Sequence, residues 1–172
     1  MNRNSLKNIA TEVINLEIDA LKILKKSINK NFDKAVSTIV NCQSKIILCG
    51  VGKSGLIAAK IASTLSSVGS PAFSLSANDC LHGDLGSITK KDVLILISNS
   101  GKSEEIIPII KFANRNKIKL IGIVSKKNSF LYKGSDIKIL LPEVKESGLG
   151  VVPTSSTSIQ LAIGDALACL LY

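Results

Sequence analysis

Short apolar runs recur along the chain, and they constrain its fold more than any other feature. Lys45–Gly50 (KIILCG), Asp92–Ser98 (DVLILIS) and Ile118–Val124 (IKLIGIV) are rich in Ile, Leu and Val, without regular alternation of polar residues. Such runs are typical of strands that are covered on both faces, as in a parallel sheet with helical crossovers. With Pro71–Ser76 and Asp136–Leu141, they predict an α/β three-layer sandwich whose five parallel strands are flanked by helices.

The segments between these runs have helical periodicity. The pattern predicts helices over Lys53–Ser67, Ser103–Asn116 and Thr154–Leu171, after two N-terminal helices over residues 5–29 and 32–42. The first N-terminal helix carries an apolar stripe at alternating steps of three and four residues, formed by Leu6, Ile9, Val13, Leu16, Ala20 and Ile23. This stripe must pack on the domain's own sheet or on a partner subunit, and its regularity favours a partner.

The composition is that of one globular domain. The chain has 172 residues, of which 45% are apolar and 3% aromatic, so aliphatic side chains must build the core. With no repeat or linker, we expect one domain over residues 1–172. Charges interrupt residues 1–30, which argues against a secretory signal, and no apolar run is long enough to span a membrane. These features predict a cytoplasmic protein.

Charge and cysteine content disfavour several function classes. The net charge is +9, but the lysines are scattered and aromatic residues are few, which argues against nucleic-acid or membrane binding. We interpret the charge as solvated surface that also attracts an anionic substrate. The cysteines at positions 42, 49, 80 and 169 have no C-x-x-C spacing, so neither a zinc ribbon nor a thioredoxin site is indicated.

Segments rich in serine, threonine and glycine precede three predicted helices: Gly50–Gly55, Ser98–Ser103 and Thr154–Thr157. Helix N-termini present unpaired N–H groups that bind anions, hydroxyl groups add donors, and glycine allows close backbone approach. The first two segments follow strands, and parallel sheets bind ligands at the carboxyl ends of their strands. A sugar phosphate is therefore the first candidate ligand, with contacts from Gly52, Ser54, Ser98, Ser100, Ser103, Thr154, Ser155 and Ser156.

The first of these segments partly matches two nucleotide-binding motifs. Gly50, Gly52 and Gly55 have the spacing of the dinucleotide fingerprint, but the second strand ends in Ser74–Ser76, without the acid that holds a ribose. The Walker pattern fails because Ile47 stands where its first glycine is needed. A dinucleotide enzyme is therefore disfavoured.

Four ionisable side chains are candidates for chemistry, and each also has a simpler interpretation. Lys53 opens a helix against the favourable direction of the helix dipole, which modestly favours a functional role. Glu105 lies in the first turn of a predicted helix, where capping alone explains an acid. Glu146 lies in the loop 143–153 and could be a solvated charge. His82, the only histidine, lies near the presumed crevice, where it could move protons but makes a poor metal site.

The ordered set of motifs is similar to that of sugar isomerase (SIS) domains. It comprises G-V-G-K-S-G at 50–55, H-G-D-L-G at 82–86, S-N-S-G-K-S-E-E at 98–105, V-V-P-T-S-S-T at 151–157, and Gly164-Asp165-Ala166. Over essentially the whole chain it most resembles the arabinose-5-phosphate isomerase family. This resemblance implies interconversion of D-ribulose 5-phosphate and D-arabinose 5-phosphate, the precursor of Kdo in lipopolysaccharide biosynthesis. It also implies a flavodoxin-like fold and a homotetramer with sites between subunits.

The resemblance also assigns roles to individual residues. It implies catalytic roles for Lys53, Glu105 and Glu146, and substrate contacts at Gly69, Ser70, His82, Pro108, Pro142, Glu143 and Val144. A carboxylate would remove the proton next to the substrate carbonyl, and we expect desolvation to raise the pKa of Glu146 or Glu105 toward neutral. Lys53 would stabilise the enediolate, and His82 would open the sugar ring or shuttle a proton. This scheme requires neither a metal nor a cofactor.

Several features of the family are missing from this sequence. The chain stops before the two CBS modules and the H-P-G-G histidine of many relatives, and the loop after Glu146 is one residue shorter. Ser76 and Lys102 stand where relatives often have a zinc-binding histidine and an acid. Two alternatives to the pentose isomerase therefore stay open: a sugar-phosphate-binding module without activity, and an isomerase of another ketose phosphate.

Overall fold

A computed structural model describes residues 3–171 and contains a five-stranded sheet. The strands are β1 (Ile46–Gly50), β2 (Ala72–Ser76), β3 (Val93–Ser98), β4 (Lys119–Val124) and β5 (Ile137–Leu140). Neighbouring strands are parallel, and their spatial order is β2-β1-β3-β4-β5. The predicted parallel sheet is confirmed, and each strand lies within the apolar run that predicted it.

Helices precede and connect these strands. In the described part of the chain they are α1 (Arg3–Ser27), α2 (Lys30–Val40), α3 (Lys53–Ser67), α4 (Ala77–Cys80), α5 (Ile106–Arg115), α6 (Phe130–Gly134) and α7 (Ser155–Cys169), with a 3-10 turn at Asp84–Ser87. The helices α4 and α6 and the 3-10 turn were not predicted, because segments of one turn are too short to show a helical period.

Each face of the sheet has its own aliphatic core. Ile46 and Leu48 of β1 pack in a cluster with α1, α2, α3 and α7. Ile47 and Cys49, which alternate with them, pack in a second cluster with α4, α5 and α6. Both faces are therefore dry, which explains why the strand sequence is apolar without alternation. The predicted three-layer sandwich is confirmed.

Close packing of β1 on α3 accounts for two glycines of the first motif. A Cβ atom on Gly50 would lie 2.8 Å from backbone atoms of Ser54, and a Cβ atom on Gly55 would lie 2.8 Å from the carbonyl oxygen of Gly50. A close-packed interior has no room for such contacts. The G-x-G-x-x-G spacing therefore serves strand-to-helix packing in this chain.

The helix α5 begins at Ile106 and not at Ser103, where helical periodicity placed its start. Pro108 explains the difference. Proline lacks an N–H group and is tolerated in the first helical turn, where N–H groups have no intrahelical partner. Glu105 is consequently the N-cap residue, and its side chain makes no capping hydrogen bond. The predicted place of Glu105 inside the first turn was wrong.

The N-terminal helix packs only in part on its own domain. Ala20 and Leu24 are buried, and the hydroxyl of Ser158 on α7 donates a hydrogen bond to Glu17 at 2.9 Å. Leu6 and other apolar residues of α1 are about half exposed. Part of the predicted stripe therefore faces outward. No helix within residues 3–171 has both the length and the apolar character required to cross a bilayer.

Candidate functional site

The loops after β1 and β3 lie side by side at the carboxyl edge of the sheet. These two strands are neighbours, but α3 follows β1 on one face of the sheet and α5 follows β3 on the other. Such a reversal opens the crevice in which parallel α/β sheets bind ligands. The segments Gly50–Gly55 and Ser98–Ser103 flank this crevice.

The first loop leaves the N-terminus of α3 open. Gly52 is the N-cap residue, with a φ of 57° and no side-chain capping bond, and the exposed Lys53 is the first residue of the helix. A cavity of about 260 Å³ adjoins this turn, between Gly52 and residues 74–78, which form the end of β2 and the start of α4. The unpaired N–H groups of α3 and the ammonium group of Lys53 favour an anion here.

The second loop holds two serine hydroxyls as hydrogen-bond acceptors. Ser98 Oγ accepts from the N–H of Gly101 at 3.0 Å. Ser100 Oγ accepts from the N–H of Lys102 at 3.3 Å. Because neither hydroxyl proton has an acceptor within the described residues, both can donate to a ligand. Gly101 has a φ of 63°, and a Cβ there would collide with Ser129, so this turn requires glycine.

The carboxylate of Glu146 caps the N-terminus of α7. Its Oε2 accepts hydrogen bonds from the N–H of Thr154 at 2.8 Å and from the Thr154 hydroxyl at 3.1 Å. The N–H of Ser156 lies 3.3 Å from each carboxylate oxygen. Thr154 is the N-cap residue but makes no side-chain capping bond, so Glu146 performs the capping from the preceding loop.

The surroundings of Glu146 lower its pKa. Burial raises the pKa, but hydrogen bonds from Ser156 and Thr154 outweigh burial, and the pKa lies below the ordinary value of a glutamate. Glu146 is therefore a fully ionised carboxylate at neutral pH. The expectation that desolvation would raise its pKa toward neutral is wrong for this residue, because the sequence does not show the donors that α7 supplies.

A side-chain hydrogen bond holds α3 and α7 together near the crevice. The Ser54 hydroxyl donates to the Oε1 atom of the buried Gln160 at 3.1 Å. Ser54 follows Lys53, and Gln160 lies about one helical turn beyond Ser156. The contact therefore brings the N-termini of the two helices, with Lys53 and Glu146, to the same side of the crevice.

A larger cavity lies where β3, β4 and β5 end. Its volume is about 660 Å³, and it is lined by Ser100, Lys102, Pro142, Glu143 and neighbouring residues. Val144, which follows, packs instead against the core on the face of the sheet that α1, α2, α3 and α7 cover. The structure thus brings two of the three predicted residues of the Pro142–Val144 segment to the same cavity as the second Ser/Gly loop.

Two basic residues of this cavity were not predicted from the sequence. Lys126 and Lys127 follow β4 and line its wall, and Lys126 forms an ion pair with Glu143 at 2.6 Å. A signal was available, since residues directly after a parallel strand lie at the binding edge of the sheet. This signal was not used, because lysines are scattered along the whole sequence and these two did not stand out.

Other predicted residues lie around the start of α5, near the 3-10 turn and at the start of α7. Ser103, Glu105 and Pro108 lie around the start of α5, which packs on the opposite face of the sheet from α7. His82 lies in an exposed loop between α4 and the 3-10 turn. Ser155 is buried at the start of α7, and its hydroxyl has no hydrogen-bond partner in the described part of the chain.

Gly69 and Ser70 lie at the other edge of the sheet. They precede β2 and line a cavity of about 330 Å³ with Cys42 and Ser44, which precede β1. The amino ends of parallel strands lie away from the crevice. A single chain therefore does not bring these two predicted contacts to the other candidates. Within residues 3–171, no group of three or more His, Cys, Asp or Glu side chains is placed to hold a metal ion.

Comparison with known proteins establishes the family. The family model of the SIS domain matches residues 39–170, which include the sheet and the three Ser/Gly segments. The chain belongs to the SIS domain family. This SIS domain is 44% identical over 168 residues to the arabinose 5-phosphate isomerase KdsD of Francisella tularensis, a match that covers 95% of this chain and 51% of that protein.

Two further relatives agree with this assignment. The SIS domain is 42% identical over 161 residues to KdsD of Yersinia pestis, which covers 93% of this chain and 49% of that protein. The chain thus spans about half the length of these curated relatives. Among solved structures, c3406 of E. coli CFT073 in complex with arabinose 5-phosphate superimposes with a TM-score of 0.95 at 34% identity, covering 99% of this chain and 92% of that chain. The resemblance inferred from the motifs is confirmed.

Proposed function

We propose that this SIS domain is an aldose–ketose isomerase that interconverts D-ribulose 5-phosphate and D-arabinose 5-phosphate. The observation that carries the proposal is the Glu146 carboxylate, which is ionised and fixed at the N-terminus of α7. The hydrogen bond between Ser54 and Gln160 holds this end of α7 against the N-terminus of α3. Similarity to two arabinose 5-phosphate isomerases and to a structure in complex with arabinose 5-phosphate supports this choice of sugar phosphate.

The isomerisation needs a base that is ionised before the substrate binds, and Glu146 meets this need. In the proposed step the carboxylate takes the proton from the carbon next to the carbonyl, and the electron pair of that C–H bond forms the enediolate double bond while the carbonyl oxygen becomes negative. The proton of the neighbouring hydroxyl moves to this oxygen, and the carboxylic acid returns its own proton to the former carbonyl carbon, so that the second oxygen becomes the new carbonyl. No co-reactant is consumed. Glu105, whose side chain makes no capping bond, is the second carboxylate that could act in this way.

Lys53 supplies positive charge where the reaction develops negative charge. Lys53 is the first residue of α3. Its ammonium group and the positive end of the helix dipole therefore both stabilise a phosphate or an enediolate. In this proposal the hydroxyls of Ser98 and Ser100 donate to the sugar phosphate, and His82 opens the sugar ring or shuttles the hydroxyl proton. The arabinose 5-phosphate would serve as precursor of Kdo for lipopolysaccharide.

We also propose that residues 1–172 act as one cytoplasmic domain and assemble as a homotetramer with sites between subunits. The outward apolar residues of α1, which include Leu6, Ile9, Ile14 and Ile18, support an interface on this helix. In such an assembly Gly69 and Ser70 would complete the crevice of a partner subunit, which one chain alone does not achieve.

The experiment that tests the function is an assay of the purified chain without added metal. It follows ribulose 5-phosphate formed from arabinose 5-phosphate, with a hexulose and a heptulose phosphate as competing substrates. We expect turnover of the pentose phosphate and a loss of about 10²- to 10⁴-fold in kcat for Glu146→Gln. Asp33→Asn, an exposed change on α2, is the control.

The possible outcomes separate the alternatives. Preferred turnover of a larger ketose phosphate would assign a different isomerase. Thermal stabilisation by arabinose 5-phosphate without any turnover would assign a binding module. Normal turnover in both Glu146→Gln and Glu105→Gln would reject the carboxylate mechanism, whichever substrate is used.

A further inference from the structure

The two oxygens of the Glu146 carboxylate have unequal surroundings. Oε2 accepts from the N–H and the hydroxyl of Thr154, at 2.8 and 3.1 Å, and shares the N–H of Ser156 at 3.3 Å. Oε1 shares the N–H of Ser156 at 3.3 Å, and the Ser156 side chain also interacts with the carboxylate. Because a shared contact of this length is weak, Oε1 keeps accepting capacity that the two Thr154 bonds have taken up on Oε2.

The Thr154 hydroxyl is itself fixed by the residue after Glu146. The backbone N–H of Ser147 donates to Thr154 Oγ1 at 3.2 Å, and the two side-chain oxygens lie 3.0 Å apart. Each hydroxyl has one proton. If Thr154 donates its proton to Glu146, the Ser147 proton is left to donate to Thr154, so the hydroxyls form a chain that ends at Oε2.

These contacts also join the two ends of an exposed loop. Residues 148–153 form this loop between Ser147 and Thr154, and the side chain of Leu149 in it is 98% exposed. Gly148 and Gly150 have φ values of 64° and 75°, which glycine adopts without strain. Without the bonds between its ends, the loop would transmit its motion to Glu146, which lies next to Ser147.

We propose that Thr154 is a positioning residue that holds Oε2 of Glu146, so that Oε1 is the oxygen that exchanges the proton with the sugar. The inference rests on the proposed function and deepens it. Thr154 does not itself take part in a bond change: Oε1 gains the proton as the C–H bond breaks, and the same oxygen returns it to the neighbouring carbon. The Thr154 hydroxyl stays hydrogen-bonded to Oε2 in both states.

The test compares Thr154→Val with Thr154→Ser in the full chain. Valine has the shape of threonine but lacks its hydroxyl, and it leaves the backbone N–H that also reaches Glu146. We expect Thr154→Val to lower kcat about 10- to 100-fold with little change in KM, because the base is misplaced while the proposed contacts from Lys53, Ser98 and Ser100 remain. Thr154→Ser keeps the hydroxyl and should restore most of the activity.

A second readout separates positioning from general loss of structure. With arabinose 5-phosphate deuterated at C2, we expect Thr154→Val to show a larger kinetic isotope effect than the unchanged protein, because proton transfer limits the rate. Thr64→Val is the matched control, since the Thr64 hydroxyl bonds only to the carbonyl of Lys60 within α3. If Thr154→Val fails to fold, Ser147→Ala takes its place. This change removes the hydroxyl that donates to Thr154, and it should lower kcat severalfold.

Failure of this inference differs from failure of the proposed function. An inactive unchanged protein, or full activity in Glu146→Gln, rejects Glu146 as the base and this inference with it. An inactive Glu146→Gln together with full activity and an unchanged isotope effect in Thr154→Val and Ser147→Ala rejects the positioning role alone.

Discussion

Lys45 Nζ lies 2.9 Å from Asp92 Oδ2, at the amino edge of the sheet and away from the crevice. The Asp92 side chain is fully buried, whereas that of Lys45 is 29% exposed. Asp92 also accepts hydrogen bonds from the N–H and the hydroxyl of Thr89, at 2.7 and 3.0 Å. The carboxylate therefore joins the start of β3 to the residue before β1.

This pair predicts an acid-dependent part of the stability. Burial raises the pKa of Asp92, but hydrogen bonds from Thr89 and Lys45 outweigh burial and lower the pKa from 3.8 to about 2. A group whose pKa is lower in the folded state stabilises the fold above its unfolded pKa, and this stabilisation is lost as the pH falls. We expect a loss of about 2 kcal/mol between roughly pH 4 and pH 2.

Asp92→Asn should remove this pH-dependent stabilisation, measured by urea unfolding at several pH values. At pH 7 we expect the free energy of unfolding to fall by about 2 kcal/mol, because the amide cannot replace the carboxylate toward Lys45 and Thr89. Asp19→Asn is the control, since Asp19 and Lys22 form an ion pair in which both side chains are about two-thirds exposed. Equal effects in the two variants would contradict the prediction.

Replacing Lys53 should separate activity from stability. Lysine at a helix N-terminus opposes the dipole, so we expect Lys53→Gln to stabilise the fold by about 0.5 kcal/mol. The same change should lower kcat about 100-fold, because the developing enediolate loses its counter-charge. Thermal unfolding and the isomerase assay check both effects. Lys34→Gln on the exposed surface of α2 should change neither, and a Lys53→Gln protein with full activity would reject the catalytic role.

The contact between α3 and α7 near Ile61 depends on a glycine. A Cβ on Gly164 would collide with the Ile61 side chain, which is buried. We expect Gly164→Ala to lower the free energy of unfolding by about 1–3 kcal/mol through overpacking. Ile61→Val alone should cost about 1 kcal/mol, and the double variant should cost less than the sum of the two single changes. Additive costs would show that the two residues do not share this space.

The Ser54 hydroxyl should contribute to both stability and activity. Ser54→Ala leaves the buried Gln160 without its donor, so we expect a loss of about 1 kcal/mol in stability. Because α3 and α7 carry Lys53 and Glu146, kcat/KM should also fall. Ser67→Ala removes a hydroxyl that bonds to Thr64 within the same helix and is the control. A fall in stability with unchanged kcat/KM would show that this bond does not position the site.

The sheet could be predicted from the sequence because its signal is local. A strand that is buried on both faces, such as β3, needs consecutive apolar residues, and the sequence displays them directly. The start of α5 could not be read from periodicity alone, although Pro108 contained the necessary information. Helices of one turn, such as α4, have no period to detect.

Some features of the candidate site could likewise be predicted from the sequence, and others could not. The backbone features of the site could be predicted, because Gly52 and Gly101 lie in turns with positive φ that glycine favours. The lowered pKa of Glu146 could not be predicted, because it depends on hydrogen bonds from Thr154 and Ser156 that form only in the folded protein. The remoteness of Gly69 from the crevice follows from the topology of the sheet, which a motif comparison does not include.

The contact between Gly50 and Gly55 has a consequence for redesign of the site. Backbone atoms, and no side chain, set the distance between β1 and α3 at this point. Leu56 is 73% exposed and lines the cavity of about 260 Å³ beside Gly52. Replacing this side chain should alter the shape of that cavity without shifting the loop at Gly52. A library that varies the wall of this cavity could therefore change which ligand is preferred, while the backbone of the proposed anion site at Gly52 keeps its position.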